Sequence, residues 1–248
     1  MPKRPHPPII RKPLQEAWHA KRSVMIVYFI LRLSVLLVMV AQAFNGNFEN
    51  VFLCVLVLIL FTIPTFLEQR LSIDLPNTLE IIILLFIYAA EILGEIRAFY
   101  VTFPYWDTIL HTLNGFLCAA VGFSLLDLLN REERVTFSLS PLYLAVVAFC
   151  FSMTIGVLWE FFECVMDQLF YLDMQKDTII REIGSINLDP TGGNTPIRLR
   201  DITDVIVVQG SGAQISLGLG GYLDIGLLDT MEDLFVNFVG AYVFSIIG

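Results

Sequence analysis

Long apolar runs, separated by short polar stretches, dominate the hydrophobic pattern of this 248-residue chain. A helix that crosses the hydrocarbon core of a bilayer needs about 20 predominantly apolar residues. Runs of roughly this length predict six transmembrane helices, at residues 24–43, 51–67, 76–96, 107–129, 141–163 and 229–248. The pattern therefore predicts an all-α polytopic membrane protein.

Composition agrees with this prediction. Hydrophobic residues make up 56% of the chain and charged residues only 16%, and the mean hydropathy is +0.72. Such a composition excludes an ordinary soluble domain of this length. The formal charge of −9 also argues against a nucleic-acid partner, because binding nucleic acid requires a basic surface.

The distribution of basic residues predicts the orientation of the chain. Residues 1–23 hold six Lys and Arg side chains against one acid, Glu16. The short loops at 68–75 and 130–139 also carry arginine, whereas the loop at 44–50 has neither Lys nor Arg. Basic residues are enriched on the cytoplasmic side of membranes. We therefore expect both termini in the cytoplasm.

Four regions follow from this topology. They are a basic cytoplasmic tail at 1–23, five transmembrane helices within 24–166, an extracytoplasmic segment at 167–228, and a sixth helix at 229–248. In the extracytoplasmic segment, "IRLRDITDVIVVQGSGAQISLGLGGYLDIG" alternates β-branched or apolar residues with polar ones between glycines. This pattern predicts a small β-hairpin or β-meander insertion. The glycines do not form a phosphate loop, because no helix follows at the required spacing, and "DPTGGN" is typical of a turn.

Polar residues recur at helical spacing inside the apolar runs. Ionisable groups are costly in a membrane helix, so they usually face the protein interior and find partners there. Spacings of three and four residues place each set on one helix face. The four stripes are Asp107, His111 and Asn114; Glu160, Glu163 and Asp167; Asp229, Asp233 and Asn237; and Glu91 with Glu95.

The predicted topology brings all four stripes to the extracytoplasmic ends of their helices, with His111 and Glu160 at a similar depth. Clustered carboxylates raise one another's pKa, so such a cluster needs shared protons, a cationic side chain or a bound cation. A divalent metal (zinc, manganese or iron) suits these oxygen and imidazole ligands. The candidate metal ligands are Asp107, His111, Glu160, Glu163, Asp229 and Asp233.

Three functions fit such a cluster. In an enzyme, His111 or Glu160 would serve as general base, and metal-bound water would attack an ester or phosphoester at the membrane surface. In a transporter, the acids would form a proton- or cation-coupled pathway. In a non-catalytic scaffold or sensor, they would form a hydrogen-bonded plug that locks the helices together.

Three motifs in order, "DTILHTLNG", "WEFFE" and "DTMEDLFVNFVGA", resemble the VanZ-like superfamily and, more closely, the YjdF-like bacterial inner-membrane proteins. The chain departs from the VanZ pattern at Glu163, where glutamine is more usual, and in the insertion at 167–228. The residues that carry the resemblance are Asp107, His111, Glu160, Glu163, Asp233, Asn237 and Gly240.

The resemblance implies a multi-pass protein of the bacterial plasma membrane and no settled activity. For the polar pocket near the outer leaflet, we expect a lipid or a lipid-linked envelope precursor as the substrate or ligand. Membrane lipid is therefore the expected partner. The sequence makes no prediction of oligomeric state.

Overall fold

A computed structural model describes residues 14–71, 76–131 and 139–247. These residues are mainly helical, as the apolar runs predict, and form two compact units that divide between Leu110 and His111. Most of the predicted basic tail, and the whole loop at 132–138, lie outside the described residues.

The first unit is built from helices that follow one another closely. They are α1 (Leu14–Phe44), α2 (Phe48–Leu60), α3 (Ile63–Leu71), α4 (Asn77–Tyr88), a π-helix (Ala89–Ile96) and the short α5 (Phe99–Thr102). α1 packs against α2 and α4, and α2 also packs against the π-helix. Their shared core is apolar and includes Val35, Val57, Phe61, Leu84 and Ile92.

Two predicted helices of this unit are less regular than their sequences suggest. The run at 51–67 forms α2 and α3, which are separated at Phe61 and Thr62, and Pro64 lies in the first turn of α3, where a missing N–H is tolerated. The run at 76–96 forms α4 and then, without a break, the π-helix. Gly94 in the π-helix leaves room for the Tyr100 ring, which a Cβ at this position would approach within 2.3 Å.

The second unit contains most of α6 (Trp106–Arg131), all of α7 (Pro141–Phe170) and α8 (Leu227–Ile247). The side chain of Ser140 caps α7 by accepting the backbone N–H of Tyr143. α7 continues to Phe170, past the predicted end of the membrane region at 166. α7 and α8 pack closely together.

Between α7 and α8 lie six short strands in three antiparallel pairs. The strands are β1 (Ile179–Ile180), β2 (Ile183–Ser185), β3 (Ile197–Leu199), β4 (Ile206–Val208), β5 (Gln214–Ser216) and β6 (Tyr222–Leu223). The pairing is nested, because β1 pairs with β6 while β2–β3 and β4–β5 form hairpins between them. The predicted β-insertion is thus present as separate two-stranded ladders. "DPTGGN" forms the predicted turn, in which Gly192 N–H donates to the Asp189 carbonyl at 3.1 Å.

Five helical segments of the described residues have the length and apolar composition of membrane spans: Arg22–Phe44, Phe48–Arg70, Trp106–Leu126, Pro141–Phe170 and Leu227–Ile247. Large apolar side chains along them, such as Phe29, Leu37, Phe161 and Phe235, are more than half exposed. Apolar surface of this extent is unusual on a soluble monomer and suits a hydrocarbon environment. The sixth predicted span is the α4 and π-helix segment, which is not among these five.

Candidate functional site

Glycines allow α6 and α8 to approach each other at backbone contact distance. A Cβ on Gly115 of α6 would lie 2.0 Å from the carbonyl oxygen of Asn237, and a Cβ on Gly240 of α8 would lie 2.0 Å from the carbonyl oxygen of Thr112. Small residues permit such close crossings of membrane helices. Any larger side chain at either glycine would push the two helices apart.

Asn237 occupies the centre of this crossing and is only 1% exposed. Its Oδ1 accepts a hydrogen bond of 3.1 Å from Asn114 Nδ2 of α6, and its own Nδ2 donates to Met153 Sδ of α7 at 3.6 Å. On α7, Gly156 provides the space for the amide group, since a Cβ there would lie 2.6 Å from Asn237 Nδ2. Asn237 therefore connects all three helices.

A second buried polar contact joins α7 to α6. The Ser152 hydroxyl, which is fully buried, donates a 2.7 Å hydrogen bond to the carbonyl oxygen of Gly115. We call Asn114, Gly115, Ser152, Gly156 and Asn237 the three-helix junction. It holds α6, α7 and α8 together through polar groups that have partners.

One helical turn from the junction, each helix contributes a buried ionisable side chain. His111 precedes Gly115 by four residues, Glu160 follows Gly156 by four, and Asp233 precedes Asn237 by four. The two ring nitrogens of His111 face different acids: Nδ1 lies 3.8 Å from Glu160 Oε1, and Nε2 lies 3.7 Å from Asp233 Oδ2. We call these three residues the His–acid cluster. His111 and Glu160, which the sequence predicts at a similar depth, thus lie beside each other, and their depth in the membrane stays a prediction.

Two further predicted site residues lie beside this cluster on its own helices. Glu163, one turn beyond Glu160, is buried and accepts a 2.8 Å hydrogen bond from Trp159 Nε1. Asp107 lies one turn before His111 in α6, and one of its carboxylate oxygens is within 4.8 Å of a ring nitrogen of His111. Trp159 was not predicted as part of the site.

Asp167 and Asp229 bind the start of the α7–α8 connection. Asp167, near the end of α7, accepts the backbone N–H groups of Met174 and Gln175 at 2.7 and 2.9 Å. Asp229, in the first turn of α8, accepts the N–H of Lys176 at 2.7 Å. Both acids therefore position residues 174–176 across the ends of the two helices. Their predicted participation in a metal site stays a prediction.

Glu91 and Glu95 belong to the π-helix of the first unit. Glu91 is 3% exposed, and among the described residues its Oε2 atom has no hydrogen-bond partner. Their predicted convergence with the other acids stays a prediction.

The distances in the His–acid cluster limit its chemistry. Both exceed the 2.7–3.2 Å of a direct hydrogen bond, and a neutral imidazole has only one N–H to donate, so it cannot serve both acids. Two ligands of one tetrahedral zinc ion, each about 2.0–2.1 Å from the metal, lie roughly 3.4 Å apart. The 3.7 Å separation of His111 Nε2 and Asp233 Oδ2 is close to that value.

Sequence reasoning missed Ser152 and Gly156, the small residues that α7 contributes to the junction. Ser152 and Gly156 form a small-xxx-small pair, a pattern typical of close helix contacts in membranes, and this signal identifies the contacting face of α7. Gly115 and Gly240 follow His111 and Asn237 on their helices, so that the same faces carry the site and the close contacts.

A family described as a predicted membrane protein, DUF2238, matches residues 26–248. No curated protein and no solved structure matches the chain.

Proposed function

We propose that this chain, which belongs to the DUF2238 family of predicted membrane proteins, is a cation-dependent, VanZ- or YjdF-like protein of the bacterial plasma membrane. In this proposal its His–acid cluster binds one divalent cation and acts on a lipid-linked envelope precursor. The amino terminus is cytoplasmic, and the cluster lies near the outer leaflet.

One observation carries the proposal: a single buried histidine has a carboxylate from a different helix at each ring nitrogen. A cation binds only one of these nitrogens. We assign it to Nε2, the nitrogen that faces Asp233. Asp107, His111 and Asp233 each offer one ligand atom within 4.8 Å of the others, and Glu160 is not part of this group. Zinc, manganese and iron all accept imidazole together with carboxylate ligands.

Glu160 then becomes a positioning residue. Metal-bound histidines almost always donate their other N–H to a carboxylate or carbonyl oxygen, which fixes the ring and raises its basicity. Glu160 Oε1 lies on the Nδ1 side and is suited to this role. Without a cation, the His111–Glu160 pair is instead the candidate general base expected from the sequence.

The environment of the cluster supports a lipid substrate. The three helices that hold it carry exposed apolar residues, among them Ile109, Phe161 and Phe235, so acyl chains can approach the site from the side. A bound divalent cation would polarise a phosphoryl or carbonyl oxygen and lower the pKa of a bound water molecule. A phosphoester or ester at a lipid headgroup is therefore the substrate class that we propose.

A non-catalytic scaffold is the second candidate. It is favoured by the three-helix junction, whose hydrogen bonds from Asn114 and Ser152 already join the helices without any ligand. In this case the His–acid cluster extends the same polar network by one turn and binds no metal.

Zinc titration of the purified full-length protein, against a competing chelator, separates the two candidates. We expect the wild type to bind one equivalent of zinc and His111→Ala and Asp233→Asn to show no stoichiometric binding. In Glu160→Gln the zinc affinity should fall by about 10- to 100-fold, the usual loss when a carboxylate that orients a metal ligand is removed. Glu232→Gln is the matched control, because Glu232 adjoins Asp233 on α8 but is exposed.

Manganese and iron are titrated in the same way. If the wild type binds none of the three metals stoichiometrically, while His111→Ala unfolds at a lower temperature, the scaffold is correct. If Glu160→Gln abolishes binding and Asp233→Asn only weakens it, the cation lies on the Nδ1 side.

A further inference from the structure

The hairpin formed by β4 and β5 lies in a stretch without charge. Residues 205–223 contain no Asp, Glu, Lys or Arg, although the whole segment 167–228 holds eight acids and four basic residues. All six strand residues of the hairpin are exposed, and four of them are Ile or Val. Exposed apolar surface of this kind often marks a site that a membrane or a partner covers.

The pairing register divides the hairpin into two faces. Val207 stands opposite Ile215, and the ladder continues to Val205 and Leu217, because the Leu217 N–H donates to the Val205 carbonyl at 3.0 Å. Side chains two residues apart on a strand share a face. We call Val205, Val207, Ile215 and Leu217 the apolar face. The last three of these side chains are 42, 45 and 38% exposed.

The other face carries the polar groups of the hairpin. We call it the mixed face, and it consists of Asp204, Ile206, Val208, Gln214 and Ser216. The Asp204 carboxylate accepts the Ser216 hydroxyl and also a backbone N–H. These bonds, that of Ser216 most, lower the pKa of the exposed Asp204, so it stays ionised. The mixed face therefore has to remain in water.

The uncharged stretch leads directly into a membrane-spanning helix. Asp224 is the only charged residue between Asp204 and the start of α8 at Leu227, and its carboxylate accepts two backbone N–H groups. Ile225 and Leu227, on either side of the helix start, are 71 and 63% exposed. Exposed apolar side chains thus continue along the chain from the hairpin into α8.

The hairpin can reach the membrane surface. The end of α7 and the start of α8 lie at one level, because residues 174–176 bind to both. Phe170 and Tyr171 are strongly exposed at this end of α7, and aromatic residues are enriched at membrane–water boundaries. Leu217 and Leu227 are ten residues apart, which is at most about 36 Å of extended chain.

We propose that the apolar face of the β4–β5 hairpin lies on the phospholipid surface of the leaflet in which α7 ends and α8 begins, with Asp204 directed to water. This placement removes four aliphatic side chains from water and desolvates no charge. The strand edges stay hydrated in the headgroup region, as free backbone groups require. It also supports a two-stranded hairpin, which is only marginally stable alone.

A lipid surface suits this face better than a protein partner does. Protein interfaces obtain most of their binding energy from Trp, Tyr and Arg side chains, whereas the apolar face consists of Val, Ile and Leu alone. No basic side chain lies on it, so its attraction to the membrane does not require anionic headgroups.

Site-directed fluorescence tests which face meets the lipid. We use full-length protein in phosphatidylcholine nanodiscs, with the four native cysteines replaced by serine or alanine. An environment-sensitive fluorophore is attached to a single cysteine, in Val207→Cys or Ile215→Cys on the apolar face and in Val208→Cys or Gln214→Cys on the mixed face. Val208 is the matched control, because it is the neighbouring exposed valine of the same strand.

We expect the signal to alternate between the faces. Fluorophores at 207 and 215 should be quenched by phospholipid that is spin-labelled near the headgroup, and aqueous iodide should quench them severalfold less than those at 208 and 214. Addition of anionic phosphatidylglycerol should leave this pattern unchanged. In the Ile215→Cys protein, Val207→Asp should raise iodide quenching to the level of the mixed face, and Val208→Asp should not.

Equal iodide quenching at all four positions would overturn the proposal, because the hairpin would then stand free in water. Weak iodide quenching at 207 and 215 without quenching by the spin-labelled lipid would also overturn it, since protein would then cover the apolar face. Protection that needs phosphatidylglycerol would contradict it as well, because basic residues of the connection would then hold the hairpin at the membrane.

Discussion

His111 shows how one side chain can connect three helices. Its two ring nitrogens face acids from α7 and α8, at 3.8 and 3.7 Å, and the imidazole is the only side chain of the cluster that has two opposed binding atoms. Neither glutamine nor lysine reproduces this geometry. The identity of this residue, rather than the general polarity of the cluster, therefore decides what the site can bind.

Asn237 is the residue on which the junction depends most. We predict that Asn237→Ala lowers the free energy of unfolding by about 1–3 kcal/mol, because the partly buried Asn114 amide loses the acceptor that the buried Asn237 provides. Denaturant unfolding in detergent measures the change. Glu232→Ala, an exposed change on the same helix, should have almost no effect, and equal losses in the two variants would contradict the role given to Asn237.

At the scale of elements, the apolar runs predict the helices well because hydrophobic length is set by the thickness of the bilayer. The break at Phe61 and the change from α-helix to π-helix at Ala89 are harder to predict from the sequence, because they depend on local packing such as that of Tyr100 on Gly94. The β1–β6 pair joins strands of only two residues across more than forty positions. Such short strands carry too little pattern to reveal their partners.

The candidate site was also predictable only in part. Helical spacing gave one polar stripe on each helix, and the predicted topology brought the stripes together. The structure places His111, Glu160 and Asp233 side by side, but the same reasoning applied equally to Asp167 and Asp229, which bind backbone N–H groups of the α7–α8 connection. Spacing identifies a helix face. It does not distinguish a side chain that contacts another helix from one that accepts hydrogen bonds from the backbone N–H groups of a loop.

The close contact between α6 and α8 predicts that the stability of the protein falls steeply with side-chain size at Gly115 and Gly240. Gly115→Ala and Gly240→Ala each place a methyl group 2.0 Å from a backbone carbonyl oxygen, so the helices must separate. We expect each variant to lose at least about 1–3 kcal/mol, the usual cost of overpacking a core. Gly210→Ala, with nothing within 4 Å of its Cβ, is the control. Wild-type thermal midpoints for Gly115→Ala and Gly240→Ala would contradict this contact.

At the scale of the whole molecule, the α4 and π-helix segment decides the topology. If it crosses the membrane, five crossings separate the amino terminus from the α7–α8 connection, and the two lie on opposite sides. If it does not, both lie on the same side. The basic tail favours six crossings and a cytoplasmic amino terminus.

Labelling with a membrane-impermeant maleimide tests this topology, in cells that express single-cysteine variants. We predict that Ser211→Cys is labelled in intact spheroplasts and that Lys3→Cys is labelled only after the membrane is permeabilised. Labelling of both variants from the same side would show that the predicted number of crossings is wrong.

The central claim, that the His–acid cluster binds a divalent cation, is tested most directly by anomalous scattering from crystals grown with zinc. The account predicts one strong anomalous peak about 2.0–2.1 Å from His111 Nε2 and from an oxygen of Asp233, with Glu160 hydrogen-bonded to Nδ1. A map with no peak at His111, in crystals that show Glu160 and Asp233 both bonded directly to the imidazole, would contradict it.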